Sequence, residues 1–225
     1  MKYFLYITLF ILSACNSDSN KKDKTGPGSP FWSDIQNFKK QDAISFPPKN
    51  AILFIGSSSF TNWKDVQDYF PGLAIINRGF GGSTLLDQLR YEKDIIFPYQ
   101  PKQIVIYCGE NDLASSDSIQ AGMVYERFKT LFNDIRDKIP NVPIAFISLK
   151  PSPSRRHLME KMDKANIFVR AFLNMQKNTV FIDVYHKMLN EAGQPLPEIF
   201  LDDSLHMNAK GYTIWQEAIE PYLLK

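Results

Sequence analysis

Apolar and polar positions change their spacing along the chain in a regular way from residue 51 onward. Five runs rich in Val, Ile, Leu and Phe occupy residues 51–56, 73–78, 103–108, 143–149 and 179–184. Short and nearly continuous apolar runs predict strands that are buried on both faces. Between them, apolar residues recur at helical spacing, in one stripe from Val124 to Ile139 and in another from Leu158 to Phe172.

The alternation of strands and helices predicts the fold class. It indicates an α/β protein with a five-stranded parallel sheet, helices on both faces and right-handed crossovers. In such sheets, ligands bind beyond the carboxyl ends of the strands, near the point where the strand order reverses. The residues that directly follow each strand are therefore the first candidates for a functional site.

The N-terminal residues have the features of a secretion signal. Lys2 precedes an apolar run from Tyr3 to Leu12, which is too short to span a bilayer. The following Leu12-Ser13-Ala14-Cys15 resembles the lipobox of bacterial lipoproteins, which implies lipidation of Cys15. An ordinary signal peptide with an unrelated cysteine is the alternative. We predict a lipoprotein signal peptide over residues 1–14, a flexible polar tether over 15–30 and a catalytic domain over 31–225.

Composition and cysteine content exclude several classes of protein. The 225-residue chain has a formal net charge of +2, so it lacks the basic surface expected of a nucleic-acid binder. If Cys15 carries lipid, Cys108 is the only remaining thiol and no intrachain disulfide forms. Cys108 ends an apolar run, which favours a buried strand residue over a nucleophile.

Residues with catalytic chemistry follow three predicted strands and precede the last predicted helix. They form four blocks, which are Gly56-Ser57-Ser58-Ser59, Asn77 to Thr84, Gly109-Glu110-Asn111-Asp112 and Asp203-Ser204-Leu205-His206. A serine hydroxyl becomes a nucleophile when a histidine removes its proton, and an acidic residue then orients that histidine. The oxyanion of the intermediate needs donors, for which the backbone N–H groups of Ser58 and Gly82 and the Asn111 amide are candidates. We also expect Ser58 to gain from the positive end of a following helix.

The four blocks resemble, in order, those of the SGNH/GDSL hydrolases. The resemblance spans roughly residues 50–222 and implies a flavodoxin-like three-layer α/β/α sandwich and ester hydrolysis without metal or other cofactor. It implies Ser58 as nucleophile, His206 as base, Asp203 as its orienting partner, and Gly82 and Asn111 as oxyanion donors. Ser57 replaces the usual aspartate of the first block, as in a branch near platelet-activating-factor acetylhydrolase-like and carbohydrate esterase members.

Several other residues have both a functional and a structural interpretation. Trp63 could form a wall of the acyl pocket, although core packing is the stronger prediction. Arg78 could contact substrate or form a surface ion pair. Arg155 could position substrate, or its proline-rich loop could be stiff only for structural reasons. Asp202 is an alternative partner for His206. We find no comparable partner near His157 or His186 and expect both to be surface or structural residues.

Together these features predict a serine esterase anchored in the bacterial cell envelope, most simply at the outer membrane through Cys15. The expected substrate is a small-molecule or glycan ester with a short, acetyl-like acyl group. Two alternatives remain open at this stage. One is a lysophospholipase or thioesterase that uses the same residues. The other is a non-catalytic lipoprotein that binds a sugar or a partner on the same scaffold.

Overall fold

Five short strands and their crossover helices form the body of the protein. The structure is a computed structural model that describes residues 25–225, so the predicted signal peptide and Cys15 lie outside the described residues. The strands are β1 (Ile52–Gly56), β2 (Ile75–Gly79), β3 (Gln103–Tyr107), β4 (Ile144–Ile147) and β5 (Thr179–Ile182). The helices are α1 (Trp32–Ile44), α2 (Ser58–Thr61), α3 (Val66–Tyr69), α4 (Leu85–Ile95), α5 (Glu110–Ser115), α6 (Ala121–Lys138), α7 (Met159–Leu173) and α8 (Ala209–Ile219).

The sheet is entirely parallel and has the order β2-β1-β3-β4-β5. Ile52 at the start of β1 pairs with Ile75 on one side and with Gln103 on the other. The chain thus reverses its direction of travel across the sheet between β1 and β3, as in flavodoxin-like sheets. The predicted α/β fold is confirmed, and the ends of β1 and β3 mark the expected ligand site.

The two faces of the sheet carry separate apolar cores. Along β1, Leu53 and Ile55 pack with α4, α6 and α7, whereas Ile52 and Phe54 pack on the opposite face with Trp63 and α8. This alternation follows from the period of two in strand side chains. The prediction of strands buried on both faces was wrong for β2 and β5, where several residues are partly exposed, because these two strands form the edges of the sheet.

Gly56 allows the chain to turn sharply at the end of β1. Its φ is +153°, and a Cβ atom there would lie 2.0 Å from the carbonyl oxygen of Tyr107. Only glycine tolerates that approach without moving β3. The chain turns at Gly56 and Ser57, and α2 begins at Ser58, two residues after the end of β1.

The described end of the predicted tether lies against the folded domain. The Tyr91 hydroxyl donates to the carbonyl oxygen of Pro30 at 2.6 Å, and the Phe31 ring packs edge-on against Phe80. Gly26 and Ser29 form a turn just before this contact. Residues 26–30 thus contact the folded domain, and the boundary between tether and domain at residue 31 stays a prediction. Within residues 25–225, no helix combines the length and apolar character needed to cross a bilayer.

Candidate active site

Ser58 lies at the carboxyl edge of the sheet, where the strand order reverses. Its neighbours Ser57 and Ser59 are only 4% and 3% exposed, whereas Ser58 is partly exposed and lines a surface pocket. The burial of its neighbours supports the choice of Ser58 among the three serines. The helix that begins at Ser58 has only four residues, so the expected assistance from its dipole is small.

The glycine-rich segment after β2 lies beside Ser58. Asn77 fixes this segment, because its Nδ2 donates to the carbonyl oxygen of Phe60 at 2.7 Å and its Oδ1 accepts from the Gly79 N–H at 2.9 Å. Gly82 has a φ of +85°, in the left-handed region that favours glycine. Both Gly81 and Gly82 line the pocket that Ser58 lines.

Hydrogen bonds hold the Asn111 side chain at both ends. Its Oδ1 accepts from Nη2 of Arg155 at 2.9 Å, and its Nδ2 donates to the carbonyl oxygen of Ser83 at 3.0 Å. An arginine only donates and a carbonyl only accepts, so these partners fix which end of the amide is oxygen and which is nitrogen. One of the two Nδ2 hydrogens is bound to Ser83, and the other is available to a pocket ligand.

Asp203 and His206 form a hydrogen-bonded pair on a tight turn. Oδ1 of Asp203 accepts from the backbone N–H groups of Leu205 and His206, each at 2.9 Å, and its Oδ2 lies 2.6 Å from Nδ1 of His206. The hydrogen bond with the His206 ring, together with those backbone N–H groups, lowers the pKa of Asp203 to about 2. Because a carboxylate accepts at Nδ1, that nitrogen carries the proton, which leaves Nε2 as the basic nitrogen. Asp202 is not needed in this arrangement.

The pocket at this edge is shallow and open to solvent, and several polar side chains project from a lining whose surface is mostly apolar. It encloses about 350 Å³. Its lining residues come from all four sequence blocks, from the end of α2 and from the loop after β4, and they are Ser58, Asn62, Gly81, Gly82, Asn111, Arg155, Leu205 and His206. Leu205 adds an apolar side chain, while the other side chains of the lining are polar or absent.

A buried group of charged side chains lies beneath the pocket. The Glu110 carboxylate binds Nη1 of Arg155 at 2.8 Å and Nζ of Lys150 at 3.4 Å, and it accepts a hydrogen bond from the Tyr107 hydroxyl. Burial alone would raise the pKa of Glu110, but the charges of Lys150 and Arg155 outweigh it and hold that pKa below its usual value. Nζ of Lys150 also donates to the carbonyl oxygen of Leu205 at 2.9 Å, on the turn between Asp203 and His206.

Two of the three predicted substrate contacts lie elsewhere. Trp63 is 0% exposed and packs against Tyr212 and Trp215 in the core, so its interpretation as a pocket wall is wrong. Arg78 is 7% exposed, where its guanidinium binds Asp42 and the Tyr99 hydroxyl. The ion pair was predicted to lie on the surface, but it is buried. The Phe38 and Tyr99 rings cover the guanidinium of Arg78, so it does not contact substrate.

The prediction that His186 lacks a comparable partner was wrong. Its Nδ1 lies 2.8 Å from Oδ2 of Asp183, three residues earlier, in the same spacing as the Asp203–His206 pair. Asp183 also binds Arg170, and the His186 side chain is 63% exposed on the surface. Cys108 is buried as expected, and burial raises its pKa well above the usual value, which disfavours the thiolate.

Sequence reasoning missed Lys150 and assigned no role to Glu110. Lys150 could have been found from the sequence, because a lysine directly after a predicted buried strand needs a negatively charged partner nearby. No group of three or more His, Cys, Asp or Glu side chains suited to a metal ion occurs among residues 25–225.

Comparisons with solved structures agree on the fold. A Bacteroides thetaiotaomicron GDSL-like lipase has 20% identity and a TM-score of 0.70, with 83% of this chain and 95% of that chain covered. An acetylxylan esterase from Geobacillus stearothermophilus has 16% identity and a TM-score of 0.62, with 76% and 93% covered. A candidate platelet activating factor protein from Streptococcus pneumoniae has 20% identity and a TM-score of 0.75, with 85% and 92% covered. These likenesses show the three-layer α/β/α hydrolase fold.

Residues 51–214 match the GDSL-like Lipase/Acylhydrolase family, and the chain belongs to that family. It is therefore an ester-hydrolysing enzyme. A curated relative, N-acylneuraminate cytidylyltransferase of Escherichia coli, is 25% identical over 194 residues, which cover 84% of this chain. The match covers only 44% of that relative's length.

Proposed function

We propose that the chain is a serine esterase that removes short acyl groups, chiefly acetyl, from carbohydrate or similar polar alcohols. Ser58 is the nucleophile, and His206 with Asp203 is its acid–base partner. The backbone N–H groups of Ser58 and Gly82 and Nδ2 of Asn111 stabilise the oxyanion. The observation that carries this proposal is the convergence of Ser58, Gly82, Asn111 and His206 on one small, open pocket.

The geometry supports an acyl-enzyme mechanism. Ser58 Oγ attacks the ester carbonyl while its proton passes to Nε2 of His206, and the Asp203 carboxylate stabilises the imidazolium that forms. The negative oxygen of the tetrahedral intermediate accepts from the three donors. Collapse of the intermediate breaks the ester bond, and the departing alcohol takes the proton from His206. Water, deprotonated by His206, then releases the acid from Ser58.

The shallow, open shape of the pocket favours a short acyl chain. Each buried CH₂ group contributes only about 0.8 kcal/mol, and a shallow, open pocket buries few of them. A long acyl chain therefore gains little, whereas a bulky polar alcohol is accommodated because the pocket is open. The solved acetylxylan esterase of the same fold is in keeping with a carbohydrate substrate.

A series of p-nitrophenyl esters tests the acyl preference. We expect kcat/KM to be highest for acetate or propionate and to fall from butyrate to octanoate. Acetylated xylo-oligosaccharides and lysophospholipid, compared at equal ester concentration, then separate the two classes of leaving group. A maximum at octanoate or longer, or efficient release of fatty acid from lysophospholipid, would favour the lipase alternative instead.

We further propose that Cys15 is lipidated and holds the enzyme at the cell envelope. The motif Leu12-Ser13-Ala14-Cys15 supports this, and Asn16 after the cysteine favours the outer membrane over retention at the inner one. Cys15→Ala should leave the precursor unprocessed or shift the enzyme out of the membrane fraction, because acyl chains provide the anchorage. Wild-type enzyme found wholly in the soluble periplasmic fraction would refute this assignment.

A further inference from the structure

The loop after β4 joins the two halves of the pocket, although it contains none of the proposed catalytic residues. Its Lys150 contacts the Leu205 carbonyl, and the N–H of Ser154 donates to the Ser204 carbonyl at 3.1 Å. From the same loop, Arg155 reaches Asn111 on the other side of the pocket. The loop therefore contacts both the turn that holds His206 and the amide that faces the pocket.

Arg155 makes two directed hydrogen bonds with adjacent residues of α5. Nη1 binds the Glu110 carboxylate at 2.8 Å, and Nη2 binds Oδ1 of Asn111 at 2.9 Å. A guanidinium is planar, so fixing one end on a buried carboxylate also fixes the direction of the other. Glu110 is itself held by Tyr107 and Lys150, and its side chain is only 5% exposed.

We propose that Arg155 is a positioning residue that orients the Asn111 amide toward the oxyanion, with Glu110 as its fixed anchor. This inference rests on the proposed function. Without the guanidinium, the Asn111 side chain keeps its bond to the Ser83 carbonyl but loses the partner of Oδ1, and the amide rotates about that single remaining contact. The donor that faces the pocket is then present but misdirected. The Lys150 ammonium binds Glu110 and the Leu205 carbonyl and holds the other side of the pocket.

The alternative role for Arg155 is direct contact with substrate, since it lines the pocket. The two roles predict different kinetics. A positioning residue acts on the transition state, so its loss lowers kcat with little change in KM. A residue that binds the ground state mainly changes KM. A positioning residue also depends on the group that it positions, which a double-mutant cycle measures directly.

The experiment compares wild type, Arg155→Met, Asn111→Ala and the double variant with p-nitrophenyl acetate. We expect Arg155→Met to lower kcat by about 10–100-fold, which is less than the fall expected when one oxyanion donor is removed outright. We expect KM to change by less than about threefold. In the Asn111→Ala background, the same substitution should change kcat by less than about threefold. Ethylguanidinium should restore part of the kcat of Arg155→Ala but none of that of Arg155→Ala/Asn111→Ala.

Arg78→Met is the matched control, because Arg78 also pairs with a carboxylate in a buried place but does not line the pocket. It should lose stability and keep its kcat when assayed well below its Tm. Equal losses from Arg155→Met in both backgrounds, or a raised KM at unchanged kcat, would overturn the positioning role. An undiminished kcat in Asn111→Ala alone would instead contradict the oxyanion hole of the proposed function.

Discussion

Removing the Asn111 amide is the perturbation whose effect follows most directly from the structure. Nδ2 has two hydrogens, and the Ser83 carbonyl at 3.0 Å engages one of them. Asn111→Ala therefore removes a single donor from the oxyanion hole. Loss of one such donor costs about 2.7–4 kcal/mol in the transition state, or roughly 10²–10³ in kcat. KM should change little, because the neutral ester carbonyl gains less from that donor than the oxyanion does.

Two further variants separate catalysis from folding. Asn111→Asp keeps an oxygen for Arg155 but turns a charged oxygen toward the pocket, so it should be at least as damaging as Asn111→Ala. Gln103 is the matched control, since it is buried at the start of β3, away from the pocket, and its amide bonds the Tyr222 carbonyl and the Leu224 N–H. Gln103→Ala should lose stability of about 1–3 kcal/mol while it keeps kcat.

Steady-state kinetics with p-nitrophenyl acetate and urea unfolding of each variant provide both readouts. The reasoning fails if Asn111→Ala lowers kcat less than about fivefold, or if Gln103→Ala lowers kcat as much as Asn111→Ala does. It also fails if Asn111→Asp is clearly more active than Asn111→Ala.

Three further predictions concern acid stability, close packing and metal ions. The folded pKa of Asp203 is about 2, so its contribution to stability is present above the unfolded pKa of about 3.9 and is lost as pH falls through 2. Asp203→Asn should therefore narrow the difference between the urea midpoints measured at pH 5 and at pH 3. The same substitution should lower kcat on the order of 10⁴-fold. A Cβ at Gly79 would lie 2.6 Å from Cβ of Phe60, so Gly79→Ala should cost about 1–3 kcal/mol of unfolding free energy, whereas Gly122→Ala, with open space in α6, should not destabilise. Exhaustive treatment with EDTA should leave kcat/KM unchanged, and recovery of activity only upon adding a divalent ion would contradict a metal-free mechanism.

The sequence predicted the architecture because local pattern and topology rules act together. Five apolar runs gave five strands, and each boundary agrees within two residues. What the pattern did not resolve is which strands form the edges, because a short apolar run has the same composition at the edge and at the centre of a sheet. The partly exposed Ile75 and Thr179 show the difference only after strands pair.

Candidate residues within the four blocks were easier to find than the residues that support them. Ser58, Asn111 and His206 lie in short sequence patterns, and the pocket unites them. The contact of Arg155 with Asn111 joins positions 44 residues apart, and that of Lys150 with Leu205 joins positions 55 apart. Such pairings depend on the path of the loop after β4 across the edge of the sheet. Neither residue spacing nor composition predicts that path. Trp63 shows the converse, since proximity to Ser58 in sequence did not bring its ring to the pocket.

The most direct test of Ser58 as the nucleophile is labelling with a fluorophosphonate probe, followed by peptide mapping. The account predicts modification of Ser58 in parallel with loss of esterase activity. Ser58→Ala should be unlabelled, and its kcat should be lower by about 10⁴–10⁶-fold, while Ser57→Ala and Ser59→Ala should still be labelled at Ser58. Activity retained in Ser58→Ala, together with its loss in Ser57→Ala or Ser59→Ala, would contradict the assignment of the nucleophile.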